Sequence, residues 1–276
     1  FHAGQVQCIS FALARVIVFW SKNPAPIVKY LPEINKMGLN YYFQFTLNDY
    51  EAEGLEPCLP PLAQRLETFK RLSDMLGKKR VIWRYDPLIL ADSIGLEELM
   101  GRVAAVGELV HDYTERLVVS FADIAKYRNV QRNLKRAGFR CREFTPDEMR
   151  AAAEYLHAMN RSWKLKIFTC AEKIDLVSCG IEHGSCIDGR LMAEIFGRDR
   201  SLLEFLGCQA DMFSDAWLPE LKDKGQRREC GCIVSKDIGS YDTCRHLCAY
   251  CYANSSRTAV ESNLHRHRAD AEFLLV

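Results

Sequence analysis

The sequence predicts an α/β fold on a parallel sheet, a full or partial (β/α) barrel of the TIM type. Three observations carry that expectation. Short β-branched and aromatic runs alternate with helical stretches in units of about 30–40 residues, and parallel strands need such crossovers. The units are even and consecutive, which suits a barrel better than an open doubly wound sheet. No glycine fingerprint of the dinucleotide-binding type follows any strand.

The elements follow in order. Ala14 to Trp20 reads as a buried strand ending in the loop signal Ser21-Lys-Asn-Pro24. Ala25 to Met37 reads as a helix stopped by Gly38, and Tyr41 to Leu47 as the next strand. In Pro61 to Leu76, Leu62, Leu66, Phe69, Leu72, Met75 and Leu76 recur at helical spacing. Lys79 to Tyr85 is a strand closed by Asp86-Pro87, followed by a helix over 95–113 capped at Ser93. Arg116 to Phe121 is a strand. Thr145-Pro-Asp-Glu148 has capping-box spacing, with proline at the first helical position, so a helix runs from there to about Asn160. Lys166 to Cys170 is a strand. Beyond Ile187 the texture changes: an apolar stretch over Ser201–Leu221, a Cys- and Gly-rich stretch over 230–252, and a short polar helix or tail over Ala259–Val276 that holds His265 and His267. The expected division is a barrel body over 1–229 and a Cys-rich segment over 230–276 that completes it.

Composition bounds the function. The chain has 276 residues, 48% of them hydrophobic and 26% charged, the mixture of a globular protein. Lys plus Arg is 37 and Asp plus Glu is 36, a net charge of +1, which does not mark a nucleic-acid or membrane-surface binder. The longest apolar run, Cys8 to Trp20, is broken by Arg15, so no membrane span is expected. Lys126 to Arg142 holds seven basic residues and no acid; a nucleic-acid contact is open, but a solvated helix face is the simpler reading. The chain begins at Phe1 rather than Met, and an upstream segment is expected before it. No secretory leader pattern is present, which points to the cytoplasm. Twelve cysteines in such a chain suggest metal or cluster binding rather than disulfides.

The stretch that carries chemistry is Cys244-Arg-His-Leu-Cys248-Ala-Tyr-Cys251, with spacing C-x3-C-x2-C. A cubane [4Fe–4S] cluster takes four outer ligands. Three thiolates on one loop hold three irons and leave the fourth open for the amino and carboxylate groups of S-adenosylmethionine. The alternative is a closed structural zinc site, completed by Cys230, Cys232 or His246.

Beyond this loop, Ile17-Val-Phe-Trp-Ser-Lys-Asn-Pro24, Tyr41-Tyr-Phe-Gln-Phe-Thr46, Val81-Ile-Trp-Arg-Tyr-Asp-Pro87, Cys170-Ala-Glu-Lys-Ile-Asp175, Gly180-Ile-Glu-His-Gly-Ser-Cys-Ile-Asp188 and Arg228-Glu-Cys-Gly-Cys232 through Cys251 jointly resemble an uncharacterised bacterial family, domain of unknown function 1848. The resemblance spans nearly the whole chain. It implies a C-terminal cysteine cluster similar to the N-terminal cluster of radical S-adenosylmethionine enzymes, and no reaction comes with it. Family members usually begin with a strand that is absent here, which implies a barrel lacking its first strand. The cluster loop would follow the last strand, Gly231-Cys-Ile-Val-Ser235. In a closed barrel that strand neighbours the first, so a circular permutation would leave the cluster in its usual place. Cys170, Cys186, Cys230 and Cys232 also match the family pattern. They suggest a second site for an auxiliary iron–sulfur cluster or zinc, with buried apolar packing as the alternative. Cys8, Cys58, Cys141, Cys179 and Cys208 have no such context.

Polar residues close or follow the strands: Lys22 and Asn23, Thr46 and Asn48, Arg84 and Asp86, Ser120 and Asp123, Glu172 and Lys173. In a barrel they converge on one mouth. Arg84, Asp86, Glu172 and Lys173 would supply acceptors and a cation to S-adenosylmethionine, and Tyr250 would shield the cluster near the adenine. Trp20 and Trp83 are expected in the core. The function expected is a radical S-adenosylmethionine-like enzyme of unknown small-molecule or macromolecular substrate, fed by a reductase such as flavodoxin or ferredoxin. The alternative is a non-enzymatic zinc- or iron–sulfur-binding barrel that serves structure or electron transfer.

Overall fold

A computed structural model describes residues 9–208, 221–268 and 271. Cys8, much of the apolar stretch that ends at Leu221 and the end of the tail lie outside the described residues. Six parallel strands form the main sheet: β1 (Val16–Ser21), β2 (Asn40–Thr46), β3 (Val81–Leu88), β5 (Arg116–Phe121), β7 (Lys166–Cys170) and β8 (Ile181–Gly184). The short β4 (Leu90–Ala91) and β6 (Cys141–Arg142) pair antiparallel beside it. Spatial order follows chain order, with β1 and β8 outermost and no pairing that joins them among the described residues.

That order decides where the helices go. Crossovers that step in one direction with one hand leave their helices on one face of the sheet. Buried residues of α3 (Leu62–Leu76), α4 (Leu96–Val110), α5 (Arg128–Ala137) and α6 (Pro146–Trp163) share a core with Tyr41, Phe43 and Phe45 of β2, Trp83 and Tyr85 of β3, and Leu117 and Val119 of β5. Alternate residues face the other way. There Tyr42, Ile82 and Val118 pack with Leu191 and Met192 of α7 (Gly189–Ile195) and Leu202 of α8 (Arg200–Phe205). This second face is apolar only in its lower part. Toward the C-terminal ends of the strands it turns polar, with Gln44 and Thr46 on β2, Arg84 on β3 and Ser120 on β5.

Ion pairs seat α7 and α8 on that face. Arg116 at the start of β5 reaches Asp188 at 2.6 Å, and Arg15 reaches Asp199 at 2.6 Å. Asp188 and Asp199 also cap the two helices, accepting backbone N–H groups of their first turns. The capping box expected at Thr145 and Glu148 is present in both halves.

Several elements depart from expectation. The helix over Ala25–Met37 is two pieces, α1 (Ala25–Val28) and α2 (Leu31–Lys36), because Pro32 has no N–H to continue the first. Helix α4 starts at Gly95 without a side-chain cap, since Ala91 and Ile94 close a turn that consumes Ser93. Met75 is exposed and Arg65 is buried in its place. Trp83 is buried, but Trp20 is 49% exposed, because it lies on an outermost strand whose second face is uncovered there. Gly231–Ser235 forms no strand; Ile233 makes one antiparallel bridge with Lys222. The tail forms α9 (Arg257–Arg266).

Candidate functional site at the strand ends

Every polar strand-end residue faces the C-terminal edge of the sheet, where parallel strands place their following loops. Two groups of cysteines meet this edge on opposite sides, one within the C-terminal segment and one shared between it and the ends of β7 and β8.

The first group is the C-x3-C-x2-C loop. Leu247, at φ +53°, turns the chain just before Cys248, and the Cys251 N–H closes a turn on the Cys248 carbonyl at 3.0 Å. Helix α5 holds the loop from outside: Asn133 donates to the carbonyls of Cys251 (3.1 Å) and Asn254 (2.8 Å). From inside, the Ala249 N–H donates to Leu55 at 2.8 Å. Cys248 is buried, Cys251 half-buried and Cys244 exposed, and each lies within electrostatic reach of the other two. Burial pushes the Cys248 thiol up to about 12, against the pull of nearby Lys22. The Asn254 N–H points at the Cys251 sulfur from 3.4 Å. Two clefts flank the loop. One of about 230 Å3 is lined by Cys248, Asn133, Arg136 and Arg257, and one of about 400 Å3 by Cys58, Arg245, Arg257 and Glu261.

Tyr250 leaves this loop to enter the sheet edge. Its hydroxyl donates to Glu56 and accepts from Lys22 at 2.9 Å and from Asn48 at 3.2 Å. Lys22 also reaches Glu56 at 2.9 Å, and Arg65 lies 3.7 Å from the other carboxylate oxygen. Burial pushes the Glu56 carboxyl up, but Lys22, Tyr250 and Arg65 together outweigh it and hold it below the ordinary carboxylate range. His246, half-buried inside the loop, has a buried Nδ1 without a partner.

The second group forms at β7 and β8. Cys170 ends β7, Cys186 follows β8, and Cys230 and Cys232 come from the C-terminal segment; they pack together. The sulfurs of Cys170 and Cys186 are 3.2 Å apart. The backbone N–H groups of Cys186 and Ile187 donate to the Cys232 sulfur at 3.2 and 3.3 Å, and the neighbouring Cys232 thiol draws the Cys230 thiol down to about 7. Tyr42 and Gln44 fix the Cys186 carbonyl at 2.7 and 2.9 Å. The loop after β8 is thereby drawn across the sheet to β2.

Arg84 and Asp86 lie between the two groups. Arg84, 3% exposed, donates to the Cys186 sulfur at 2.8 Å, to Gln44 at 3.2 Å and to Asp86. Burial raises Asp86, but Arg84 and Ser120 outweigh it and leave the carboxyl below its usual value. The Asn48 side chain bonds the Asp86 backbone at both N–H (3.0 Å) and carbonyl (3.2 Å). A continuous hydrogen-bonded path therefore runs from Cys186 through Arg84, Asp86 and Asn48 to Tyr250. Glu172 accepts the Phe121 N–H at 2.9 Å, and burial pushes its carboxyl up to about 7. Lys173 is exposed. Arg227, just before the C-terminal segment, ties Asp123 at 2.9 Å and Tyr127 to this rim.

The structure thus brings Cys244, Cys248 and Cys251 into one loop and Cys170, Cys186, Cys230 and Cys232 into one nest. Among the described residues, no three His, Cys, Asp or Glu side chains already surround one point as metal ligands would. Cys58 is exposed, and Cys141, Cys179 and Cys208 are half-buried away from both groups. Sequence reasoning missed Gln44, Glu56, Arg65 and Arg227. A glutamine inside an otherwise aromatic strand was a readable signal for the first. Glu56 carried none, since Tyr250 lies 194 residues away along the chain.

A family model described as a domain of unknown function, DUF1848, matches residues 1–253. No curated protein matches, and no solved structure does.

Proposed function

This chain belongs to the DUF1848 family, and we propose that it is an iron–sulfur protein that acts as a radical S-adenosylmethionine-like enzyme. The observation that carries the reading is one loop whose three thiols lie within electrostatic reach of one another, docked through Tyr250 on the C-terminal edge of a parallel sheet. Cys244, Cys248 and Cys251 would hold a [4Fe–4S] cluster by three irons. The donor set suits iron: three sulfurs, with the Asn254 N–H at Cys251 and the Lys22 cation nearby favouring thiolates against the burial that pushes the Cys248 and Cys251 thiols up. When bound, such a cluster supplies the electron that splits the sulfonium of S-adenosylmethionine, giving methionine and, after hydrogen-atom uptake, 5′-deoxyadenosine.

The chain's own residues then have distinct tasks. Lys22, Glu56 and Asn48 lock Tyr250 and so fix the loop against the sheet. Arg84 is bound to Asp86 and Cys186, so it positions neighbours rather than meeting the cofactor directly. Glu172 and Lys173 at the end of β7 are left to meet the ammonium and carboxylate of S-adenosylmethionine. The ordered sheet is read as an incomplete barrel, with the substrate held at its polar upper face. A flavodoxin- or ferredoxin-type reductase in the cytoplasm would supply the electron.

A second reading is favoured by His246. Its unpartnered buried Nδ1 lies within the loop and would give a fourth ligand, closing a zinc site without chemistry. Anaerobic reconstitution separates the two. The enzyme reading expects brown protein with four irons and four sulfides at the loop, an electron paramagnetic resonance signal altered by S-adenosylmethionine, and 5′-deoxyadenosine released with dithionite. Loop-bound zinc, retained by wild type and lost in Cys248→Ala, would overturn it.

A further inference from the structure

We propose that Cys170, Cys186, Cys230 and Cys232 bind one tetrahedral metal ion of the zinc class, which pins the C-terminal segment to the end of β7 and β8. The site is separate from the C-x3-C-x2-C loop and does not depend on what that loop holds.

The spacing of the sulfurs selects the kind of site. A cubane spreads its outer ligands over separate corners, whereas a single ion draws four sulfurs to one point. Here the Cys170 and Cys186 sulfurs stand 3.2 Å apart, and Cys186, Cys230 and Cys232 pack in one cluster with Cys170 against it. Two sulfurs this close suit ligands of one ion at about 2.3 Å from each rather than the separate corners of a cubane.

The surroundings favour negative sulfur. The backbone N–H groups of Cys186 and Ile187 both point at the Cys232 sulfur, from 3.2 and 3.3 Å. Arg84 adds a buried guanidinium at 2.8 Å from Cys186. Apolar packing alone calls for none of these donors. The backbone is also shaped for close approach: a Cβ on Gly231, between the two C-terminal cysteines, would lie 2.4 Å from the Ser185 hydroxyl. The Ile233 N–H bonds Ile187 at 3.1 Å just beyond.

The chemistry balances without a redox step. One divalent ion replaces the protons of four thiols, four protons leave to solvent, and the four thiolates with the ion carry a net charge of −2. Binding requires the four sulfurs to converge on one point.

The test uses the full chain, purified anaerobically without chelator, with zinc, iron and sulfide measured together. One zinc per chain is expected. It should fall at least tenfold in Cys186→Ala and Cys232→Ala, with loop iron unchanged, and persist in Cys248→Ala, where iron is lost. Loss of zinc together with iron in Cys248→Ala would assign the zinc to the loop and overturn the proposal. Because the nest variants can misfold, cobalt(II) is added to zinc-stripped wild type. Intense visible bands of tetrahedral thiolate coordination support the proposal. A Cys170–Cys186 disulfide by mass spectrometry, sulfide bound at the nest, or folded wild type without zinc that takes up no cobalt would each overturn it.

Discussion

The Tyr250 hydroxyl joins Lys22, Asn48 and Glu56, three side chains that follow different stretches of the sheet edge. None of these groups is well placed for water, so each depends on the others. A buried carboxylate is costly unless cations and donors surround it. Glu56 has Lys22, Arg65 and the Tyr250 hydroxyl, enough to hold its carboxyl below the ordinary range despite burial. The sign of the consequence follows. A depressed folded value means the chain gains stability from ionised Glu56 above its unfolded value of about 4.3, and loses it as pH falls through the folded value. Glu56→Gln should therefore lower stability at pH 7 by about 3–5 kcal/mol, the order expected for one partner lost from a buried pair. The gap to wild type should narrow as the solution is taken from about pH 5 toward pH 3. Urea midpoints at neutral and acid pH measure this; a gap independent of pH would mean that Glu56 is not ionised in the folded chain.

At the scale of elements, the helices on one face are set by shape as much as by hydrophobicity. Helices α4 and α6 approach at Gly107, where a Cβ would stand 2.2 Å from Cζ2 of Trp163. That ring cannot swing aside freely, because its indole N–H donates to Glu108 at 2.8 Å and its face meets Trp83 at 5.9 Å between centroids. Gly107→Ala should cost about 1–3 kcal/mol by overpacking, with a matching drop in thermal midpoint; an unchanged midpoint would show that the two helices can part without penalty. Such contacts were illegible in the sequence. Five of the six expected strands appear near their expected places because β-branched and aromatic runs are local signals, and the Thr145 capping box is local too; Gly231–Ser235 is the exception. Strand β8 and the helices α7 and α8 were not foreseen. Ile181–Gly184 is four residues with two exposed, too short for alternation to mark it. The cysteines were legible as two groups only through spacing and family resemblance. What the sequence hid was the polar framework between them, since Arg84, Gln44 and Cys186 meet across 40 and 102 residues of chain.

For the whole molecule, the decisive question is whether the C-terminal segment is an appendage or a part of the fold. Composition suggests a boundary at 229/230, but the contacts cross it at both cysteine groups. Ala249 donates to Leu55 and Ile233 to Ile187. Lifting the segment would strand Glu56, Lys22 and Asn48 without the hydroxyl that links them and uncover Cys170 and Cys186. Each buried polar group left unpaired costs about 1–3 kcal/mol, more if charged. Local opening of the segment should then cost nearly as much as unfolding the sheet, which makes the two one cooperative unit. Native-state hydrogen exchange reads this directly. The amides of Ala249 and Ile233 should exchange with opening free energies within about 1 kcal/mol of the slowest amides in β2 and β3. Sub-global release of these two amides, at denaturant concentrations where the sheet stays protected, would mean that the segment opens alone. The strand-end site would then be assembled by docking rather than built into the fold.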